Sequence, residues 1–153
     1  MSSPLKATLG VIATLLILAV LAWTGTFLYW HFKIRAAIRS VASPNPSYEE
    51  GELLKRAGCR ALPYLVDSLP ESKNQFYLMS ATYMIAAEVA APGTLRGNVP
   101  YQLLETRSSW IVQAEDGGPG LQSKLEEIRA YWRENGHRHH QWWRVWSSSC
   151  GAR

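Results

Sequence analysis

From Ala7 to Trp30 the chain reads ATLGVIATLLILAVLAWTGTFLYW, 24 residues without a charge. A helix needs roughly 20 apolar residues to cross a hydrocarbon layer of ~30 Å. No face of this run is polar, which separates it from the half-buried helix of a soluble protein. Its far end carries Trp23, Phe27, Tyr29 and Trp30, the residue types that gather where hydrocarbon meets headgroups. Gly10 and Gly25 are tolerable in such a helix, where no water competes for the backbone. A cleaved signal peptide is the alternative, with Lys6 as a weak basic start and Val20–Ala22 as a cleavage sequence. Against it, the apolar run continues to Trp30 and then meets basic residues. The reading is a single-pass anchor.

Charge is unevenly placed. The net charge is +4, yet residues 43–153 are balanced, so the excess lies in Lys6, Lys33, Arg35 and Arg39. A nucleic-acid-binding domain would carry its own basic face, and none is expected here. Lys33, Arg35 and Arg39 are placed instead to meet lipid headgroups, at about 1 kcal/mol each near an anionic surface. The same three outnumber the basic groups before the span by about one charge, which leans the C-terminal domain toward the cytoplasm. An exported domain stays open. The two cysteines, Cys59 and Cys150, form no metal-binding pair in sequence. They read as two unrelated thiols in a cytoplasmic domain, or as one disulfide if the domain is exported.

The predicted organisation is a tail (1–6), a transmembrane helix (7–30), a basic juxtamembrane segment and Pro/Ser linker (31–47), and an all-α domain (48–153); His31–Ala42 extends the membrane helix or forms a short basic one, and Ser43–Ser47 breaks it. Ser47 and Glu50 read as a capping box opening a helix that Gly58 stops. CRALPYLVDSLP gives a second helix, with Pro63 in its first turn and Pro70 ending it. Ser72–Ala91 gives the central helix, apolar on most sides and capped by Ser72 or Asn74. One of its faces carries Phe76, Met79, Ser80, Tyr83 and Ala87. Phe76–Ala87 is too short for a second span. YQLLETRSSWIV reads as a helix, with SSWIV also suited to a strand. LQSKLEEIRAYWREN gives a helix whose buried stripe is Leu121, Leu125, Ile128, Tyr131 and Trp132, with Lys124 and Glu127 outside and Gly136 as its stop.

GCRALPYLVDSL followed by FYLMSATYMI resembles one HEAT repeat, over residues 58–90. Ala61, Leu62, Pro63, Leu65 and Asp67 match the family's first helix, and Ser80, Ala81 and Met84 fall near the small pair and Leu of its second. Tyr77 stands where the family usually has Arg, and a second repeat is not visible although such arrays usually need three or more. The resemblance implies a HEAT-like bundle that offers a protein-interaction surface and no catalysis.

The sequence holds no P-loop, GxGxxG, GxSxG or HExxH motif, so no enzyme activity and no cofactor are expected. His137, His139 and His140 cluster, and His137 with His140 has a spacing that suits a shared metal, but no nearby acid or thiol completes a set except Cys150, or Glu134 if Gly136 leaves the helix unbroken. On a helix, His139, Trp142, Trp143 and Trp146 form one stripe, with Arg138 and Arg144 largely off it. That indole face closes the core, lies on the membrane, or fills a partner's groove. The expected function is a membrane-anchored, non-enzymatic adaptor with an unknown protein partner and membrane lipids as neighbours. The alternatives are an accessory subunit of a larger membrane complex or a protein that binds metal through the histidines.

Overall fold

The computed structural model describes residues 3–91 and 104–139, and every regular element among them is helical. Helix α1 runs unbroken from Ser3 to Val41. No proline interrupts it between Leu5 and Pro44. Thr14 and Thr26 hydroxyls donate to Gly10 O and Ala22 O, at 2.9 and 2.8 Å, so neither is left unpaired on an apolar surface.

The two ends of α1 differ. Leu16 and Leu21 are each 62% exposed, while Ile34 and Ala37 are 0% exposed. Ile34, Ala37, Ile38 and Val41 belong to the domain core, alongside Leu54, Leu62, Leu65, Tyr77 and Ile85. Residues 31–41, expected between span and domain, are therefore the last turns of the long helix and one wall of the core. The connection is confined to the turn after Val41, where Ser43 Oγ donates to Ser40 O at 2.7 Å. Among the described residues α1 is the one helix long and apolar enough to cross a membrane.

Helix α2 (Tyr48–Ala57) packs back along α1. Ser47 occupies the N-cap with extended backbone but makes no side-chain cap bond, so the expected capping box is not formed. Gly58 ends α2 at φ 55°, in the left-handed region that glycine adopts without strain. A 3-10 turn (Gly58–Arg60) then brings the Arg60 guanidinium 4.7 Å from the centre of the Trp30 ring. Helix α3 (Leu62–Ser68) follows with Pro63 in its first turn, and a 3-10 turn (Leu69–Glu71) contains Pro70.

Asn74 links two elements. Its Oδ1 caps helix α4 (Gln75–Ala90) by accepting from Tyr77 N–H at 3.1 Å. Its amide donates to Ala42 O and Ser43 O at the end of α1. Tyr64 lies beside His31, so α3 starts at the Trp30 end of the domain and the chain reaches the Val41 end by Asn74. Helix α4 returns through the centre and buries Leu78, Ala81, Thr82, Ile85 and Glu88. The central position is as the sequence indicates, but Phe76 and Tyr83 stand outward, 60% and 40% exposed, while Ala87 on the same face is buried. Glu88, the helix's lone charge after Lys73, is buried.

Leu104 and Glu105 are helical, but the expected helix does not continue through Val112, and no strand replaces it. The chain turns at Arg107, forms a 3-10 turn (Ser108–Trp110) and becomes extended at Ile111. Trp110 is fully buried, meets Tyr131 edge-on at 5.0 Å and donates from Nε1 to Glu127 at 2.8 Å. Helix α5 (Gly118–His139) completes the domain with Leu125 and Ile128 buried. Lys124 reaches back to Asp116 at 2.6 Å, so it is not the free surface residue its place in the pattern implied.

Gly136 does not stop α5, which continues to His139. A Cβ at Gly136 would stand 3.0 Å from the Trp132 ring. The glycine makes room for that indole inside the helix. Cys59, expected as a free thiol in the cytoplasmic reading, is disulfide-bonded. Cys150, the other cysteine of the sequence, lies outside the described residues.

Candidate functional site

At the lower end of the bare part of α1, the sequence-predicted lipid residues fall into different roles. Trp23 is half-buried and stacks on Phe27 at 5.8 Å. Trp30 packs on the core beneath the Arg60 guanidinium, so it joins span to domain. Lys33 is exposed, 6.0 Å from the Tyr29 ring. Arg35 and Arg39 project from another face, one turn apart, in register with His31.

Those three residues form one wall of a groove. Along α1 it is lined by His31, Arg35, Ile38 and Arg39, and along α3 and the 3-10 turn after it by Tyr64, Asp67, Ser68 and Glu71, around a cavity of about 490 Å³. A second cavity of about 490 Å³ shares Ile38, Arg39, Ser68 and Glu71 and continues toward Asn74. The groove is pinned at both ends. At one, His31 Nδ1 and Tyr64 Oη are 2.9 Å apart. At the other, the Asn74 amide holds Ala42 O and Ser43 O. Partial burial pushes the Tyr64 phenol up from its ordinary value, Arg35 opposes that shift and Asp67 adds to it. Both walls therefore act on the same phenol.

A second surface lies between α2 and α4. Tyr48, Phe76 and Tyr83 stand exposed around a cavity of about 400 Å³ whose apolar floor includes Val41 and Met84. Lys55 and Glu52, paired at 2.7 Å, form its polar edge. Sequence reasoning missed this patch because α4 is apolar on nearly every side. The one available signal was the shortness of α2, ten residues with Leu54 and Ala57 buried, which cannot cover a 16-residue neighbour.

At the end of α5, His137 and Arg138 are exposed while His139 is buried. His139 Nε2 lies 2.8 Å from Tyr131 Oη, and its ring stacks on Trp132. Burial lowers its pKa, with further lowering by Arg107, Arg138 and His137. His139 is thus part of the domain's packing. His140, Trp142, Trp143, Arg144 and Trp146 lie outside the described residues, and with them the expected indole stripe and the His137/His140 pair. Comparison with protein families, known proteins and solved structures found no match.

Proposed function

We propose that this chain is a membrane-anchored, non-enzymatic adaptor that holds an interaction surface at a fixed height and angle beside the bilayer. The observation carrying this reading is the continuity of α1: one helix is bare and apolar at Leu16 and Leu21 and core at Ile34 and Ala37. A span joined through a flexible linker would localise a domain without orienting it. Here rotation of the domain about the span would require breaking a helix. The surface we nominate is the Tyr48/Phe76/Tyr83 patch, whose aromatic side chains and apolar floor suit an apolar side chain from a partner protein.

The test places a photo-crosslinking residue at Phe76 and, as a control, at the exposed Glu126 of α5, in full-length protein in native membranes. The adaptor reading expects a discrete protein adduct from position 76 and none from position 126. Identical patterns at both positions overturn it.

The accessory-subunit reading is favoured by Gly10 and Gly25, beside which a Cβ would meet nothing within 4 Å. Such open small-residue surface suits close helix packing in membranes. Sizing in mild detergent separates the two: a larger stable assembly supports the subunit reading, and a lone protomer opposes it.

For orientation, a disulfide at Cys59 favours an exported domain, because such bonds persist in oxidising compartments. The charge count leans the other way by about one residue. Protease added to intact cells is expected to digest the domain; digestion only after permeabilisation reverses the assignment.

A further inference from the structure

We propose that the groove between α1 and α3 binds the headgroup of a zwitterionic phospholipid carrying a primary ammonium. The phosphate lies between Arg35 and Arg39, and the ammonium against Asp67 and Glu71. The proposal rests on α1 spanning the membrane.

Opposite charges face each other across this groove without pairing. Among the described residues the ion pairs are Lys55–Glu52 and Lys124–Asp116, and neither involves Arg35, Arg39, Asp67 or Glu71. The His31–Tyr64 and Asn74–Ala42 hydrogen bonds tie the two sides together at either end of the groove. The result is a cavity with a basic wall and an acidic wall. A ligand with a positive and a negative group satisfies both walls and leaves the site neutral, whereas an anionic ligand would leave the carboxylates facing a second negative group. A primary ammonium presents three N–H donors, and the acidic side offers the carboxylates of Asp67 and Glu71 and the Ser68 and Tyr64 hydroxyls as acceptors. A quaternary ammonium has no such N–H donors to give these acceptors.

Position supports a lipid source. Helical rise puts Arg35 about 7.5 Å and Arg39 about 13.5 Å beyond Trp30. The headgroup layer adds roughly 5–7 Å to each side of the hydrocarbon. Side chains on a helix lean toward its N-terminus, here toward the bilayer, which brings both guanidiniums back toward that layer. Phe32, 65% exposed on the groove's rim, faces outward where acyl chains begin.

The experiment uses full-length protein in detergent, titrated with phosphatidylethanolamine, phosphatidylglycerol or phosphatidylcholine and read by native mass spectrometry. Wild type is expected to bind phosphatidylethanolamine at least about tenfold more tightly than the other two. Asp67→Asn with Glu71→Gln is expected to abolish that preference while keeping affinity for phosphatidylglycerol. Arg35→Gln with Arg39→Gln is expected to weaken both. Equal binding of all three lipids by wild type, a wild-type preference surviving in Asp67→Asn with Glu71→Gln, or undiminished binding by Arg35→Gln with Arg39→Gln, overturns the proposal. A second measurement needs no variant: free phosphoethanolamine is expected to compete with the lipid weakly, and inorganic phosphate less. Competition by phosphoethanolamine at the lipid's own affinity assigns the groove to a soluble metabolite and overturns the lipid source. If the chain is extracted from membranes by alkaline carbonate, the spanning reading itself has failed, a result independent of lipid preference.

Discussion

The hydroxyl of Thr82 accepts the backbone N–H of Val112 at 3.0 Å and donates to Leu78 O at 2.7 Å. One buried oxygen thus ties the central helix to the extended segment that follows Trp110. Thr82→Val keeps the shape and removes the acceptor, leaving a buried N–H without a partner. The expected loss is about 1–3 kcal/mol, read as a fall in melting temperature of the full chain in detergent by near-ultraviolet circular dichroism. Thr82→Ser keeps the oxygen and is expected to recover most of the difference. Equal melting of the Val variant and wild type would show that this bond holds nothing.

The continuity of α1 makes a prediction by contrast. Ile34 is completely buried and Phe32, two residues earlier, is 65% exposed. Ile34→Ala is expected to destabilise the domain by about 2–5 kcal/mol, and Phe32→Ala by about 0.5 kcal/mol or less. Were residues 31–41 a free linker, both substitutions would be silent in the same melting experiment.

His139 supplies a pH dependence. Burial first, then Arg107, Arg138 and His137, depress its pKa below the ordinary value of 6.5. Its Nδ1 is buried without a partner, so a second ring proton would have no acceptor. The unfolded chain therefore takes up a proton that the folded chain refuses. Stability contributed here is complete above the unfolded value and is lost as the pH falls from 6.5 toward the folded value. The melting temperature is expected to drop between pH 7.5 and pH 5, and His139→Gln, which can still bond Tyr131, is expected to flatten that part of the profile. An unchanged slope in the variant would place the titration elsewhere.

Gly136 sits in α5 with its Cα against the Trp132 ring. Alanine gains about 1 kcal/mol of helix propensity but requires the indole to yield by a few tenths of an ångström, so Gly136→Ala is expected to be close to neutral. Gly136→Val adds two further methyl groups in the same space and is expected to lower the melting temperature by several degrees, with a changed near-ultraviolet signal from Trp132. A Val variant that melts like wild type would show that the indole moves freely.

Gly136 also shows where pattern reading stops. A glycine late in a helix marks an end when the chain leaves the axis there, and a contact when a large ring four residues back needs the space. The two look alike in one dimension. The long apolar helix was legible because an uncharged run of such length has few other uses. The helices after it were legible from their periodicity and from prolines and glycines at their ends. The outward placement of Phe76 and Tyr83 was not, because an apolar helix gives no sign of which side its neighbours leave bare. The groove was equally hidden. Arg35 and Arg39 share a face by spacing, but Asp67 and Glu71 oppose them only because α3 lies alongside α1, a consequence of tertiary packing.

The unbroken path from Leu16 to Val41 also makes the domain behave like a nut on a screw. Each residue of α-helix advances the axis by about 1.5 Å and turns it by about 100°. A single insertion between Tyr29 and Ile34 would barely change the domain's distance from the bare part of α1. It would swing the Tyr48, Phe76 and Tyr83 face through more than a quarter turn relative to anything packed on that part. Length in this helix is therefore a setting of direction more than of reach.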